Sequence, residues 1–217
     1  PRFSGAKPED QDIVAGGIRS GMTGPRNWAE PPRPVDLFDA KADALAVLAG
    51  LGLQVDKIEA VAEAPEWYHP GHSGVLRLGP KMILVHFGEI HPRVLKDMGV
   101  KGPIAGFEIF FDNLPKAKDK KSKTRPYLDL PQFHTVERDF AFVVDAGVSA
   151  AQVIGAARSA EKKLIAQVSL FDAFEGGDLD AGKKSLAINV VVQPVEKTLT
   201  DVEIELIGEK VVASVEK

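Results

Sequence analysis

Cysteine is absent from the 217-residue sequence, which also contains only two tryptophans and two tyrosines. The lack of thiols excludes disulfides, thiolate metal sites and cysteine nucleophiles, and it fits a reducing cytoplasm. No window approaches the roughly 18 apolar residues that a membrane span needs. The sequence has no initiator methionine and no basic-then-apolar leader at Pro1. We therefore expect an internal fragment of a cytoplasmic protein without a membrane segment.

The net charge of −4 is distributed unevenly along the chain. The stretch 116–125 (KAKDKKSKTR) is strongly basic, whereas acidic side chains outnumber basic ones over 126–217. We predict a basic, solvated linker at 116–130, with RNA phosphate contacts by its lysines as the alternative. The linker would separate a domain at 1–120 from one at 131–217. The acidity of the second domain disfavours non-specific nucleic-acid binding, since counterion release requires clustered Lys and Arg.

The second domain is predicted to have the element order β-α-β-β-α. Two capping boxes, Ser149–Gln152 and Thr200–Glu203, predict the starts of its helices. Strands are expected at 137–144, 167–174 and 184–193. The inward side chains of the helices are expected to be Val153, Ala157, Ala160, Leu164, Ile204, Ile207, Val211 and Val215. This order is a ferredoxin-like split βαβ unit whose last strand is absent.

The last of these strands is expected to present two different faces. Its inward face would carry Leu186, Ile188, Val190 and Val192. Because both helices cover the same side of the sheet, the other side would be open. The open side would carry Ser185, Ala187, Asn189, Val191 and Gln193.

The first 115 residues have a less regular pattern. A helix capped by Asp36 or Asp39 should run to about Ala49, with Phe38, Leu45 and Leu48 inward. A strand at 12–19 and a Gly/Pro-rich loop would precede it. Further strands are expected at 57–63, 74–78, 82–88 and 104–112, with a short helix at 92–98. The sequence therefore predicts a mixed, largely antiparallel α+β unit.

No catalytic or metal-binding set can be assembled from the motifs. His69 and His91 each precede proline, which restricts both to extended or turn geometry. The helical HExxH pattern is absent, and the glycines at 16–21 match neither phosphate-loop pattern. No G-x-S-x-G is present. We expect neither catalytic residues nor a metal site, with a histidine-based metalloenzyme as a remote alternative.

Aromatic and basic side chains near residue 138 allow two interpretations. Arg138 would either tie the sheet edge to a loop or contact RNA. Phe133, Phe140 and Phe142 would form a stacking platform for unpaired bases if they lay on the open face. Alternation places Phe140 and Phe142 on one face, and we expect that face to be the helix-covered core.

Five collinear runs resemble the bacterial phenylalanine–tRNA ligase beta subunit. They are 35–52 (VDLFDAKADALAVLAGLG), 67–79 (WYHPGHSGVLRLG), 87–95 (FGEIHPRVL), 131–145 (PQFHTVERDFAFVVD) and 170–204 (LFDAFEGGDLDAGKKSLAINVVVQPVEKTLTDVEI). Each run is short, but together they span nearly the whole chain in order. The resemblance implies the C-terminal part of an inactive class II synthetase-like domain at 1–120. It implies a ferredoxin-fold anticodon-binding domain at 131–217.

The resemblance also implies a function and partners. The parent enzyme would attach phenylalanine to its tRNA using ATP and magnesium, which bind in the alpha subunit of an α2β2 tetramer. This chain would hold no cofactor, would not contact DNA, and would bind the anticodon stem-loop. The expected contact residues are Arg138, Lys183, Lys184, Ser185, Asn189, Gln193 and His134. The rival hypothesis is a stand-alone ferredoxin-like RNA- or protein-interaction module.

Overall fold

The computed structural model describes residues 1–3, 5–115, 127–128, 130–177 and 179–216. The chain forms two compact units, Pro1–Lys121 and Ser122–Lys217. Most of the linker expected at 116–130 lies outside the described residues. None of the helices in the described ranges is long and apolar enough to cross a membrane.

The first unit is built on an antiparallel five-stranded sheet. Its strands are β3 (Val14–Ser20), β4 (Glu59–Val61), β5 (Tyr68–Leu78), β6 (Met82–Ile90) and β7 (Ile104–Phe110). Their order across the sheet is β3-β7-β6-β5-β4. A separate two-stranded ribbon consists of β1 (Arg2–Phe3) and β2 (Gln11–Asp12). The helices are α1 (Leu37–Gly50) and α2 (Pro92–Asp97), with 3-10 turns at Pro8–Asp10, Val55–Lys57 and Phe111–Asn113.

Helix α1 covers one face of this sheet, and its N-cap fixes which of its side chains face the sheet. Asp36 is the N-cap, and its side chain accepts hydrogen bonds from the Phe38 and Asp39 amides. The buried side chains of α1 are Ala40, Ala44 and Leu48, whereas Phe38 is 62% exposed. The prediction that Phe38 points inward was wrong. Phe38 lies two positions from Ala40, about 200° round the helix, and therefore faces solvent.

Strands β5 and β6 approach closely at Gly88. This residue has φ +148°, and a Cβ there would lie 2.6 Å from the His72 carbonyl oxygen and from the Ser73 Cα. The β5–β6 register shifts between Tyr68 and Ser73, immediately beside this point. Glycine is required here because any side chain would separate the two strands.

The second unit confirms the predicted order β-α-β-β-α. Its elements are β8 (Val136–Asp145), α3 (Ala150–Ala160), β9 (Ile165–Glu175), β10 (Lys183–Val192) and α4 (Asp201–Val215). The sheet order is β8-β10-β9, with β10 antiparallel to both neighbours. This is the arrangement of a split βαβ unit, and it confirms the ferredoxin-like, α+β fold class.

One continuous core holds the second unit together. Its fully buried members from β10 are Leu186, Ile188, Val190 and Val192, as the alternation predicted. From the helices, Val153, Ala157, Ile207 and Val211 are buried. Ala160, Leu164 and Val215 pack against this core while partly exposed. Both helices therefore cover the same sheet face.

Both predicted capping boxes form. At α3 the Ser149 hydroxyl accepts from the Gln152 amide, and at α4 the Thr200 hydroxyl accepts from the Glu203 amide. The Glu203 carboxylate in turn accepts from the Thr200 amide at 2.9 Å and pairs with Lys197 Nζ at 2.6 Å. The Lys197 ammonium, followed by the Thr200 donors, lowers the pKa of Glu203 to about 2.

The Glu203 carboxylate makes the free energy of unfolding of the second unit depend on pH in the acidic range. Because the pKa of Glu203 is lower in the folded chain, its stabilising contribution is present above the ordinary pKa of 4.5 and is lost as pH falls towards about 2. We expect Glu203→Gln to be less stable than the parent chain at pH 7, with the difference closing by pH 2. Urea unfolding at a series of pH values measures this, with Glu205→Gln on the same helix as the control. A difference that persisted at pH 2 would contradict it.

Candidate functional site

The helix-free side of the second sheet, called here the open face, is formed by alternate residues of three strands. β10 is central, so its odd-numbered residues lie in register with partners on both sides. From one end to the other, the four rows across β8, β10 and β9 are Val143–Ser185–Phe174, Ala141–Ala187–Asp172, Asp139–Asn189–Ser169 and Glu137–Val191–Gln167. The Val143 end of the face is therefore mainly apolar, apart from Asp172 and the Lys183–Asp145 pair beyond it, and the Glu137 end is polar.

The apolar end presents an aromatic ring beside small side chains. Phe174 is 51% exposed, and its ring lies against the turn at Gly177, where a Cβ would come within 3.1 Å of it. Its register partner on β10 is Ser185, and the next row holds Ala187 and Asp172. The small side chains on β10 leave the ring accessible to another flat ring. This arrangement can stack an unpaired base.

The polar end is rich in hydrogen-bond acceptors. Asn189 Nδ2 donates to Asp139 Oδ1 at 2.8 Å and lies 3.5 Å from Glu137 Oε2. With its amide nitrogen held by carboxylates, Asn189 keeps its Oδ1 as an acceptor. At the other end of the open face, Asp172 adds another carboxylate beside Ala187, and Asp145 lies opposite Lys183. The resulting negative charge repels phosphate, so a nucleic acid would have to approach with its bases.

The structure brings only part of the predicted contact set together. Lys183, Ser185 and Asn189 lie on the open face. Gln193 follows β10, and its Nε2 donates to the carbonyl oxygens of Phe133 (2.9 Å) and Pro194 (3.2 Å). His134 is exposed and lies just before β8. Gln193 therefore fixes the chain entering β8, and the open-face group consists of three residues.

Two of the predicted residues lie on the other side of the sheet. Arg138 is in register with buried Val190, and with Phe140 it lines a cavity of about 670 Å³ against α4. Lys184 is in register with Val144, and its Nζ donates to the Ala146 carbonyl oxygen at 2.8 Å. Strand alternation therefore separates Arg138 and Lys184 from Ser185 and Asn189, and contact of all four with tRNA stays a prediction.

The aromatic residues of β8 belong to the core. The rings of Phe140 and Phe142 stack with centroids 6.2 Å apart, and both pack against the buried cluster beneath the helices. This confirms the expectation that they are core residues and excludes them from a base-stacking platform. The exposed aromatic ring of the open face, Phe174, comes from β9 and was not predicted.

The histidines described in the first unit are not arranged as a catalytic centre. His86 Nδ1 is buried, has no hydrogen-bond partner among the described residues, and lies 3.8 Å from Glu108 Oε2. The His86 ring, then donors on Trp67 and Tyr68, hold the pKa of Glu108 below its ordinary value despite partial burial. His69 stacks on His72 with centroids 4.4 Å apart. No group of three or more His, Asp or Glu in the described ranges could hold a metal ion.

Comparison with known proteins gives a family match in each of the two units. Residues 131–217 match the family model described as the ferredoxin-fold anticodon binding domain. Residues 3–111, about half of the chain, match the phenylalanyl-tRNA synthetase beta chain CLM domain. The chain belongs to the phenylalanyl-tRNA synthetase beta chain family. This confirms the resemblance found in the sequence.

Individual members of the phenylalanyl-tRNA synthetase beta chain family match over the whole chain. A phenylalanine–tRNA ligase beta subunit from Paramagnetospirillum magneticum is 52% identical over 217 residues, and one from Rhodospirillum rubrum is 49% identical over the same length. One from Mesorhizobium japonicum is 48% identical over 219 aligned positions, covering 99% of the chain. The chain spans 27% of the length of each of these relatives.

Proposed function

We propose that the open face of the second unit binds unpaired bases of the anticodon loop of phenylalanine tRNA. The observation that carries this proposal is the exposed Phe174 ring among small side chains on a helix-free antiparallel sheet. Aromatic side chains on such sheets stack splayed bases, and this contact tolerates an acidic surface better than phosphate contacts do. The family match to an anticodon-binding domain supports the same assignment.

The polar end of the open face would contact the edges of the bound bases. Asn189 Oδ1 and the Asp139 carboxylate, with the Asp172 carboxylate nearer Phe174, are acceptors, so they suit base edges that carry N–H donors. Lys183, at the start of β10, is the predicted open-face residue able to meet a phosphate at the rim. Stacking would therefore supply affinity, and the acceptors would supply selectivity.

The parent protein would be a phenylalanine–tRNA ligase that attaches phenylalanine to its tRNA with ATP. By the family resemblance, it would assemble with an alpha subunit as an α2β2 tetramer in the cytoplasm. ATP and magnesium would bind in the alpha subunit. The histidines and carboxylates of the described residues do not suit a metal site. The first unit would then contribute to assembly, without catalytic groups of its own.

Removal of the Phe174 ring tests the base-binding proposal. Stacking on one aromatic residue is worth about 1–3 kcal/mol per base, so Phe174→Ala should weaken tRNA binding about tenfold or more. Leu206→Ala is the matched control, since Leu206 is also 51% exposed but lies on α4, on the other side of the sheet from the open face. Binding of phenylalanine tRNA and of anticodon variants, each titrated with salt, provides the measurement.

Two results would reject the proposal. Equal affinity of Phe174→Ala and the parent chain would remove the stacking role. A tRNA affinity that did not depend on the anticodon sequence would favour the rival hypothesis of a stand-alone interaction module.

A further inference from the structure

Two histidines of the first unit make the same local hydrogen bond. His69 lies in β5, His91 is the N-cap of α2, and each is followed by proline. In each case Nδ1 of the imidazole accepts from the amide two residues later, Gly71 after His69 and Arg93 after His91, both at 3.1 Å. An Asn or Asp side chain makes the same bond in an Asx turn. Both turns therefore require a free lone pair on a histidine nitrogen.

This hydrogen bond fixes where the two rings carry their protons. A nitrogen that accepts from an amide has no proton, so the neutral rings of His69 and His91 carry theirs on Nε2. The next proton can bind only at Nδ1, where it occupies the lone pair that accepts the amide. A charged ring is therefore incompatible with the closed turn at either histidine.

Both rings belong to one group, His69, His72 and His91, called here the histidine cluster. The His69 ring lies between 4.4 and 6.4 Å from the other two, measured between ring centroids to His72 and His91 respectively. His72 Nδ1 lies 3.0 Å from Glu89 Oε2 and can donate to it in both the neutral and the charged state. A charged His72 places positive charge beside His69, and like charges at this distance repel.

Charged and titratable groups face the histidine cluster from each neighbouring element. Glu89 comes from β6, while Glu66 before β5 and Arg93 of α2 line the same cavity of about 380 Å³ as His91. Tyr68 also lines this cavity, and burial raises the pKa of its phenol, so it stays uncharged. In the described part of the chain, no carboxylate hydrogen-bonded to His69 or His91 compensates a proton on either ring.

The two turns connect α2 and the start of β5 to each other. The His91 amide donates to the Trp67 carbonyl oxygen at 2.8 Å, and the Ser73 hydroxyl donates to the His69 carbonyl oxygen. Helix α2 has six residues, and Leu95 is its buried side chain. Because isolated helices shorter than about 12–15 residues are marginal, α2 depends on its cap and its packing. Loss of the His91 cap would release α2 and expose Leu95.

We propose that the histidine cluster is an acid-sensitive switch, which opens α2 and the 69–73 turn when His69 and His91 gain protons. The open form binds protons that the closed form excludes, so a fall in pH favours opening. Repulsion from a charged His72 acts in the same direction. Each of the two histidines can raise the open population up to about tenfold between about pH 7.5 and about pH 5.5. The cluster lies in the first unit, so its test is independent of base binding by the second.

NMR of the imidazole nitrogens tests the proton positions in the parent chain. At alkaline pH, His69 and His91 should each show a protonated Nε2 and an unprotonated Nδ1, whereas His72 should carry a proton on Nδ1. As the pH is lowered, the amide signals of Gly71 and Arg93 should shift together with the ring nitrogens that they contact. A proton on Nδ1 of His69 and His91 at alkaline pH would overturn the proposal.

Hydrogen exchange of single amides tests the opening itself. The probes are the Leu95 and Met98 amides of the α2 region, with rates divided by those of an unstructured peptide at the same pH. Their protection should fall about tenfold or more between about pH 7.5 and about pH 5.5. The Leu53 amide, bonded to the Leu48 carbonyl oxygen at the end of α1, should keep its protection. Constant protection of the probes, or an equal loss at Leu53, would overturn a local switch.

Asparagine variants separate proton uptake from the turn. Asn accepts the same amide and is a preferred N-cap, but it does not titrate. In the double variant His69→Asn/His91→Asn, protection of the Leu95 amide should change less than about twofold over the same pH range. His72→Asn is the matched control from the same cluster, and it should still lose protection because both turn histidines remain.

A pH response of the double variant equal to that of the parent chain would overturn the switch. If the double variant does not fold, the ring nitrogens and the amide exchange of the parent chain decide the question alone.

Discussion

Gly88→Ala is expected to destabilise the first unit by roughly 4 kcal/mol, the largest single effect that we anticipate for that unit. Two costs combine at this position. A Cβ at φ +148° is strained by about 1–2 kcal/mol. The same Cβ would lie 2.6 Å from the His72 carbonyl oxygen, and such overpacking costs about 1–3 kcal/mol. Because β5 and β6 are both central strands, the sheet has to separate to accept it.

The two tryptophans make this prediction measurable. Trp28 and Trp67 both lie in the first unit, so urea unfolding followed by tryptophan fluorescence reports on that unit. Gly79→Ala is the matched control. Gly79 also has positive φ, +68°, but a Cβ there has no neighbour within 4 Å. If the two variants lost equal free energy of unfolding, backbone strain alone would explain the effect and the steric argument would fail.

Ile188→Ala is expected to destabilise the second unit by about 3 kcal/mol. Ile188 is fully buried at the middle of β10, the strand that joins both sheet neighbours to the two helices. Truncation to alanine removes apolar burial and leaves a cavity, and such substitutions typically cost about 2–5 kcal/mol. The site has little room to collapse, since hydrogen-bonded strands flank it on both sides.

Hydrogen exchange measured by mass spectrometry would locate this loss. We expect faster exchange in peptides from β8, β9 and β10, with peptides of the first unit unchanged. Val202→Ala on the exposed side of α4 is the control and should change exchange little. Acceleration confined to the ends of β10 would show that Ile188 contributes less than its burial indicates.

The elements of the second unit were predictable because the capping boxes and the strand alternation agree there. The Ser149 and Thr200 boxes predicted both helix starts, and the alternation of β10 predicted its buried face. Each of these signals depends on residues close in sequence. Arg138 could also have been placed from sequence: if Phe140 and Phe142 are core residues, alternation puts Arg138 on the same side, away from Ser185.

Phe174 could not be placed from the sequence because a bulge reverses the alternation of β9. Val168 and Leu170 pair with Val190 and Ile188 on the helix-covered side. Unbroken alternation would place Phe174 on that side too. The register shift at Phe171 instead pairs Phe174 with Ser185 and turns the ring to the open face. Single-residue bulges leave no clear mark in the hydrophobic pattern.

Strand β10 also limits the sequence changes that the open face of the second unit can accept. Its odd-numbered residues form the open face, while its even-numbered residues fill the core between the same two neighbouring strands. A one-residue insertion or deletion within β10 would exchange the two sets, burying Ser185 and Asn189. The proposed binding face can therefore change by point substitution but not by an insertion or a deletion. A library that randomises positions 185, 187, 189 and 191 should yield folded variants with altered binding, whereas length variants should be lost from it.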